Sequence, residues 1–505
     1  MKLTLEEIIE ATAAKILKNE GIKVSDEFTF STDTRTIKPG EIYLPLKGEN
    51  FDGEAFIDKA LVAGAIGFFK AKGKEQKAKS KMENRKWKME NSASCSNSSH
   101  LSLLPSDFSL VLQVEDTLIA YFQLANFYRR KINPKTISIT GSNGKTTTKE
   151  MVYCVMAEKF RTHKSELNFN NEVGLCKTIS EMRENTQVLI VEMGMRGLGE
   201  IELLSKYAEP DIAIITNVGT AHIGRLGSRE NIAKAKCEIL KSLSKDGVLI
   251  AHDDELIKHE IGNREQETEE AKGKGQKAKS DVILEEEQEM EEILQSSHFF
   301  SLNNVKIIEH KTGYSRFKYK GYEYELNIEG DYNIQNALAA IEAGLQMGMT
   351  PEEIKKGLKK YSPIEKRWEI QEIKGFKFIN DSYNANPDSM LAAISTVLGV
   401  YEPPILFVLG DMGELGEEEL EFHSQIGDFL LKNIKKDIGV ITVGKLANEI
   451  TKKLNKNGIF SKNFADNSET SRYILENVQI GTTIVLKASR SMKFEEIIQN
   501  VKCET

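Results

Sequence analysis

Apolar residues recur along this chain in two periods that keep alternating. Short β-branched runs stand at Thr136–Thr140, Val188–Glu192, Asp211–Asn217 and Val248–Ala251. Between them lie longer stretches with apolar residues every three to four positions. Strands that alternate with helices in this way predict a mostly parallel sheet covered by helices. The alternation returns at Lys377–Asn380, Pro404–Leu409, Gly439–Val443 and Thr483–Lys487, which predicts a second, smaller Rossmann-like sheet. Tyr322, Tyr324, Leu326 and Ile328 follow a period of two, the pattern of a half-buried strand in a hairpin turning at Gly321. Upstream, a helical pattern covers Leu5–Leu17, a strand Ile42–Leu46 follows the Pro39-Gly40 turn, and a helix covers Phe56–Ala63. The helical pattern Leu118–Arg129 joins this first part to the next. Three regions result, at about 1–115, 116–345 and 346–505.

Two segments carry neither period. Residues 71–107 and 259–297 are rich in Lys, Glu, Ser and Asn, and they share a near-repeat, AKGKEQKAKS at Ala71–Ser80 and AKGKGQKAKS at Ala271–Ser280. One copy falls in each of two regions, so this is no solenoid repeat. Both are read as solvated loop insertions, since interleaved lysines and glutamates argue against a basic docking tail.

The first strand of the middle region runs into ISITGSNGKTTT, Ile137–Thr148. Small residues there let backbone N–H groups face phosphate oxygens, and the following helix adds positive potential at its N-terminus. Lys145 can reach the β- and γ-phosphates, and the Thr146 hydroxyl can serve Mg²⁺. The general P-loop pattern places glycine five residues before Gly144. Ile139 stands there, so this is the shorter T-G-x-x-G-K-T-T form. The competing reading is a Gly/Ser/Asn turn with a surface lysine, which the strand before and the helix pattern after disfavour. Glu192 ends the next strong strand, where ligands of parallel sheets bind, and is a candidate Mg²⁺ ligand. The strand Asp211–Thr216 likewise delivers Asn217 and then His222 to that rim. A lone histidine is more often structural, but its place after a strand end favours a role. Lys234 and Lys236 on the next helix would ordinarily read as a solvated face.

At 505 residues the chain exceeds one hydrophobic core. The net charge of −8 gives no argument for a nucleic acid or an anionic membrane as partner. The five cysteines form no C-x-x-C pair, so neither a zinc site nor a disulfide framework is expected. No apolar run is long enough to cross a bilayer, and no signal peptide is visible near Met1. The default is a reduced, cytoplasmic enzyme without stable membrane insertion.

Several further stretches carry a family resemblance. From TGSNGKTT through VEMG, TNVGTAHI, IAKAKCEI, GDYNIQNALAA, DSYNANPDSM, LGDMGELG and KASRSMKFE, the chain resembles the ATP-dependent Mur ligases of peptidoglycan synthesis. DSYNANPDSM and LGDMGELG resemble most the member that joins D-alanyl-D-alanine to a UDP-MurNAc-tripeptide. DTRTIKPGEIYLPLKGENFDGEAFI resembles the uridine-nucleotide domain of that ligase and of the one acting before it. The resemblance implies an α/β, three-domain Mur ligase architecture: a UDP-substrate domain, a central P-loop ATPase sheet, and a C-terminal Rossmann-like domain that closes over both. ATP and Mg²⁺ are the implied cofactors, and a monomer the implied state.

The resemblance also places roles on residues. Gly141, Ser142, Asn143, Gly144, Lys145, Thr146 and Thr147 would bind the ATP phosphates. Thr146, Glu192 and His222 would serve the magnesium sites. Lys236 matches a lysine that several members carbamylate into a metal ligand, although Cys237 replaces the usual glycine beside it. Asn333 and Asn336 would contact the nucleotide, with Tyr332 where the family has histidine. Arg367 and Asp381 would reach ATP on closure, with Lys366 in place of the family's glycine. Asn168, Asn170 and Asn171 would face the muramyl-peptide, and Tyr383, Asn384 and Asn386 the incoming dipeptide. Ser31, Thr34, Arg35 and Asp52 would hold the uridine end. Three other readings compete. The ligase that adds the third residue carries a DNPR motif, absent here. Folylpolyglutamate synthase lacks the uridine-type first domain. A regulator that binds ATP without ligation has no evident need for Lys145, Glu192, His222 and Asp381 together.

Overall fold

The computed structural model describes residues 1–48, 51–72, 108–166, 168–262 and 297–503. Almost all of both low-complexity segments lies outside the described residues. The described residues fall into two compact units, Met1–Asn133 with Cys176–Glu184, and Pro134–Leu175 with Asn185 onward.

The first unit is built on a five-stranded sheet in the order Lys15–Asn19, Leu110–Val114, Gly67–Ala71, Ile42–Tyr43, Phe30–Ser31. The first pair is antiparallel and the others parallel. The opening helix stops earlier than its pattern predicts. It spans Leu5–Thr12, and Ala13 turns left-handed with φ 50°. Lys15–Asn19 then pairs with Leu110–Val114, so sheet partners decide the conformation there over local periodicity. The helix Thr117–Ile132 belongs to this unit, started by the Asp116 carboxylate on the amides of Leu118 and Ile119.

The second unit holds two large sheets. One has six parallel strands in the order Thr162–Lys164, Val188–Glu192, Lys135–Thr140, Ile212–Ile215, Val248–His252, His298–Phe300. The chain crosses first to one side of Lys135–Thr140 and then to the other. The carboxyl ends of this strand and its two neighbours therefore open on a topological switch point, where open sheets bind ligands. A three-stranded antiparallel sheet follows, with the expected hairpin between Tyr314–Tyr319 and Tyr322–Leu326. The other large sheet runs Glu369–Ile373, Phe376–Asn380, Thr483–Lys487, Ile405–Gly410, Ile438–Val443, Ser461–Phe464. All but its first strand are parallel. One apolar core is continuous across both halves of this unit, from Ile137 and Ile214 through Ile334 and Leu338 to Ile394 and Phe407. Among the described residues no helix is long and apolar enough to cross a membrane.

Candidate active site

The strand Lys135–Thr140 ends in a loop whose shape depends on two glycines. Gly141 has φ 148°, and a Cβ there would stand 1.8 Å from Thr216 Oγ1. Gly144 has φ 79°, and a Cβ there would stand 2.2 Å from Asn336 Oδ1. Only glycine allows both backbone angle and approach. The next strand braces the loop. Asn143 donates its N–H to Asn217 Oδ1 at 2.9 Å, and its carbonyl accepts from Thr216 Oγ1 at 2.6 Å and Asn217 Nδ2 at 3.1 Å. The helix Lys145–Met156 starts at Gly144, which has no side chain to cap its first amides. Those amides and the helix dipole suit an anion.

Lys145 folds back over this loop, its ammonium donating to the carbonyls of Gly141 at 2.6 Å and Ser142 at 3.3 Å. Burial pushes its pKa down and Arg367 adds to that, while Glu192 opposes it. Glu192 is buried at the end of its strand. Its Oε1 accepts from Asn170 Nδ2 at 3.1 Å, and its Oε2 stands 3.6 Å from the buried Lys149 ammonium without a hydrogen bond. That buried, unsatisfied carboxylate oxygen and the Thr146 hydroxyl, which line the same cleft, fit the oxygen donors that Mg²⁺ takes. Magnesium favours one or two protein oxygens completed by phosphate and water. Among the described residues no group of three or more acidic, His or Cys side chains forms a ready-made metal cage.

A cleft of about 740 Å³ opens over the loop, within the size range of small-molecule sites. It gathers nearly all of the candidate residues of this unit. Ser142, Asn143, Gly144, Lys145, Thr146 and Thr147 form one wall with Glu192 and His222. Asn168, Asn170 and Asn171 enter from the loop after Thr162–Lys164, and Asn333 and Asn336 from the helix Asp331–Gln346. Arg367, Asp381, Tyr383, Asn384 and Asn386 face them from the second sheet. Gly141 underlies the wall without lining it. Lys236 is buried outside the lining residues. Burial first and Lys145 second hold its amine far below the usual lysine range.

The two halves touch across this cleft. Asn386 Nδ2 donates to Asn143 Oδ1 at 2.8 Å. Asp388 Oδ2 accepts from the Thr220 N–H at 2.6 Å and the Thr220 hydroxyl at 2.8 Å. Asp381 is held by Lys487 at 2.6 Å, and the Arg367 guanidinium lies 4.0 Å from the centre of the Tyr383 ring. Asp388 and Lys487 were not singled out from the sequence. Both lie inside motifs that were (DSYNANPDSM and KASRSMKFE), but spacing alone does not reveal their partners.

Arg367 is presented by an unusual backbone. Lys366 before it has φ 62° and Trp368 after it φ 60°. The left-handed region costs a residue with a Cβ roughly 1 kcal/mol or more, and such cost collects at functional sites. Lys366 stands where the resemblance expects glycine, and its ammonium pairs with Glu495 at 3.0 Å. Lys366→Gly and Lys366→Ala both lose that pair and differ only in tolerance of positive φ. The glycine variant is expected to be the more stable by about 1 kcal/mol. Thermal midpoints in the reverse order would contradict the backbone assignment.

The four candidate residues of the first unit form a separate group. Ser31 Oγ donates to the Asp33 carbonyl at 3.0 Å, and the exposed Arg35 clasps the Asp33 carboxylate at 2.7–3.1 Å. That clasp holds Asp33 down at about 2. Asp52 pairs with Lys47 at 3.0 Å and caps the turn Gly53–Phe56. Thr34 is half-buried. The Tyr43 hydroxyl donates to the Gly53 carbonyl at 3.0 Å and Tyr43 pairs with Ser31 in the sheet, while burial first and the charges of Asp33 and Asp52 next push its pKa up. The Ser31–Arg35 and Asp52 segments thus meet around one ring.

A P-loop at the carboxyl edge of a parallel sheet, faced across a polar cleft by a second Rossmann-like sheet, defines a nucleotide-binding α/β protein. A model of the Mur ligase middle domain matches residues 139–344, and a model of the Mur ligase glutamate ligase domain matches residues 366–490. The chain belongs to the Mur ligase family. It is 37% identical over 478 residues to UDP-N-acetylmuramoyl-tripeptide–D-alanyl-D-alanine ligase of Bacillus subtilis, covering 93% of this chain and 92% of the relative. The Escherichia coli protein of the same name is 29% identical, covering 93% and 92%. The crystal structure of MurF from Acinetobacter baumannii superposes with a TM-score of 0.79 at 26% identity, covering 100% of this chain and 99% of that one. The fold is the three-domain α/β Mur ligase architecture, with its central P-loop sheet and C-terminal Rossmann-like domain.

Proposed function

We propose that this chain uses ATP to join D-alanyl-D-alanine to the terminal carboxylate of a UDP-MurNAc-tripeptide, forming the UDP-MurNAc-pentapeptide precursor of peptidoglycan. The observation that carries this reading is the cleft, where the phosphate loop faces DSYNANPDSM in a chain 37% identical to a relative named for that reaction. A Thermotoga maritima MurF structure described as a complex with ADP shares the fold at a TM-score of 0.71.

Joining a carboxylate to an amine in water is uphill, so the carboxylate must first be activated. In the proposed path it attacks the γ-phosphate of ATP, giving an acyl phosphate and ADP. The dipeptide amine then attacks the acyl carbon and phosphate leaves. The first step brings two anions together. Lys145 leaves the carbonyls it now caps and neutralises phosphate charge, while the first-turn amides of its helix hold the phosphates. Thr146, Glu192 and His222 would hold Mg²⁺, which supplies Lewis-acid stabilisation of the phosphoryl oxygens. Lys236, a buried amine whose pKa burial lowers well below the usual lysine range, would take up CO₂ and become a further carboxylate-like ligand. Asn333 and Asn336 would contact the nucleotide, with Arg367 and Asp381 reaching it from the third domain. Asn168, Asn170 and Asn171 would face the muramyl-peptide. Tyr383, Asn384 and Asn386 would hold the dipeptide, and Ser31, Thr34, Arg35 and Asp52 the uridine end. Positioning supplies much of the remaining rate. The domains would divide at about 1–115, 116–345 and 346–505, in a cytoplasmic monomer.

Two charge-assisted hydrogen bonds join Asp388 to Thr220 across the cleft. Asp388→Ala is expected to lower kcat/KM about tenfold, equivalent to about 1.4 kcal/mol. An unchanged value would show that these bonds do not hold the reacting geometry. The whole reading is tested by phosphate release from ATP, which should require both UDP-MurNAc-tripeptide and D-alanyl-D-alanine. Release that needs only one of them, or that occurs with glutamate and a folate instead, would overturn it.

A further inference from the structure

The helix Pro387–Val400 is fastened to the central half of its unit at both ends. At its start, Asn386 and Asp388 make the cleft contacts with Asn143 and Thr220. At its finish, Tyr401 donates its hydroxyl to Glu329 Oε1. The helix has 14 residues and is about 21 Å long, so the two fastenings are separate. Burial first and the Glu329 charge next push the pKa of the Tyr401 phenol up, so the hydroxyl keeps its proton and donates.

Glu329 is fully buried. A carboxylate is costly to bury unless donors satisfy it. Here Oε2 accepts the Gly313 N–H at 2.9 Å and Oε1 the Tyr401 hydroxyl. The backbone carbonyl of Glu329 accepts Asn333 Nδ2 at 2.7 Å. Gly330 allows the close approach: its φ is 100°, and a Cβ there would stand 2.9 Å from Thr396 Oγ1 on the helix. Tyr332 meets Trp368 edge to face, with ring centres 5.9 Å apart. Residues 329–333 thus hold the finish of a third-domain helix and the indole beside Arg367, and they send Asn333 into the cleft. A fastening that served stability alone could be apolar, since a buried charge is a weak source of stability. A buried polar network with every donor aimed fixes orientation instead.

We propose that Glu329 and Tyr401 are positioning residues for nucleotide binding: their bond fixes the first helical turn from which Asn333 enters the cleft and sets it in register with Arg367 of the third domain. The dipeptide end of the cleft depends on the other fastening, at the far end of the helix. The inference rests on the nucleotide roles proposed above for Asn333 and Arg367.

The test is calorimetric titration of the full-length protein with a non-hydrolysable ATP analogue and Mg²⁺. Tyr401→Phe removes one hydroxyl, and Glu329→Gln removes the charge at constant volume. Each is expected to weaken analogue binding about tenfold, because the nucleotide end is no longer preorganised. The double variant should bind no more weakly than the weaker single, since the two residues act as one unit. In turnover, the KM for ATP should rise by a similar factor while the KM for D-alanyl-D-alanine stays within about twofold. Tyr401→Phe leaves the carboxylate its Gly313 donor, and it keeps the test open if Glu329→Gln does not fold. Lowered thermal midpoints with wild-type analogue affinity, or two KM values that rise together, would mark the contact as structural only and overturn the proposal. Wild-type protein that binds no analogue would instead overturn the nucleotide reading beneath it, and that failure shows before any variant is made.

Discussion

Lys145→Ala should lower kcat by about a hundredfold or more, as does loss of one preorganised donor to a developing anion. The ammonium is held by two loop carbonyls, so it is already desolvated and aimed along the loop. Burial lowers its pKa, which means the site destabilises the charge until an anion arrives. In the proposed reaction a phosphate would supply that anion, and the lysine would interact with it more strongly than it would from water. The substitution leaves the loop's fold to Asn217, Thr216 and the two glycines, so thermal stability should change little. Steady-state kinetics would decide the matter. A variant within a few-fold of wild-type turnover would remove Lys145 from the phosphate-transfer step.

Glu192→Ala should affect both turnover and stability. Its buried carboxylate is the acid proposed to hold magnesium, and mutation of residues merely supporting a metal ligand already costs about 10–100-fold. The loss here should exceed that range. The same carboxylate faces the buried Lys149 ammonium at 3.6 Å, and Glu150 approaches that ammonium at 3.5 Å. Breaking a buried pair from one side costs about 3–5 kcal/mol. Because Glu150 remains, the lower end of that range is expected. Glu192→Gln keeps the volume and the Asn170 contact while removing the charge. Calorimetry on the two variants then separates packing from electrostatics. Wild-type midpoints and wild-type turnover in both would exclude each role.

Much of the architecture was legible because strands buried on both faces announce themselves. Val188–Glu192 and Thr483–Lys487 have the boundaries that their apolar runs predict. The phosphate loop was legible because its glycines and Lys145 serve a local geometry. The early stop of the first helix was not, since Lys15–Asn19 becomes a strand through pairing with residues almost a hundred positions away. The reach of Tyr401 to Glu329 and of Asp388 to Thr220 was hidden for the same reason. Glu329 borders one recognised motif and Asp388 sits in another, yet a motif's spacing does not say which distant residue it touches. Lys366 shows the converse. The sequence marks it as a departure from glycine, and only its positive φ gives that departure a physical cost.

The central claim is that ATP activates the tripeptide carboxylate, and oxygen transfer tests this most directly. UDP-MurNAc-tripeptide labelled with ¹⁸O in its terminal carboxylate is incubated with ATP, Mg²⁺ and D-alanyl-D-alanine. Mass spectrometry should find one ¹⁸O in each phosphate released, in step with pentapeptide formed. Unlabelled phosphate, or labelled tripeptide left unconsumed while ATP is hydrolysed, would contradict the account.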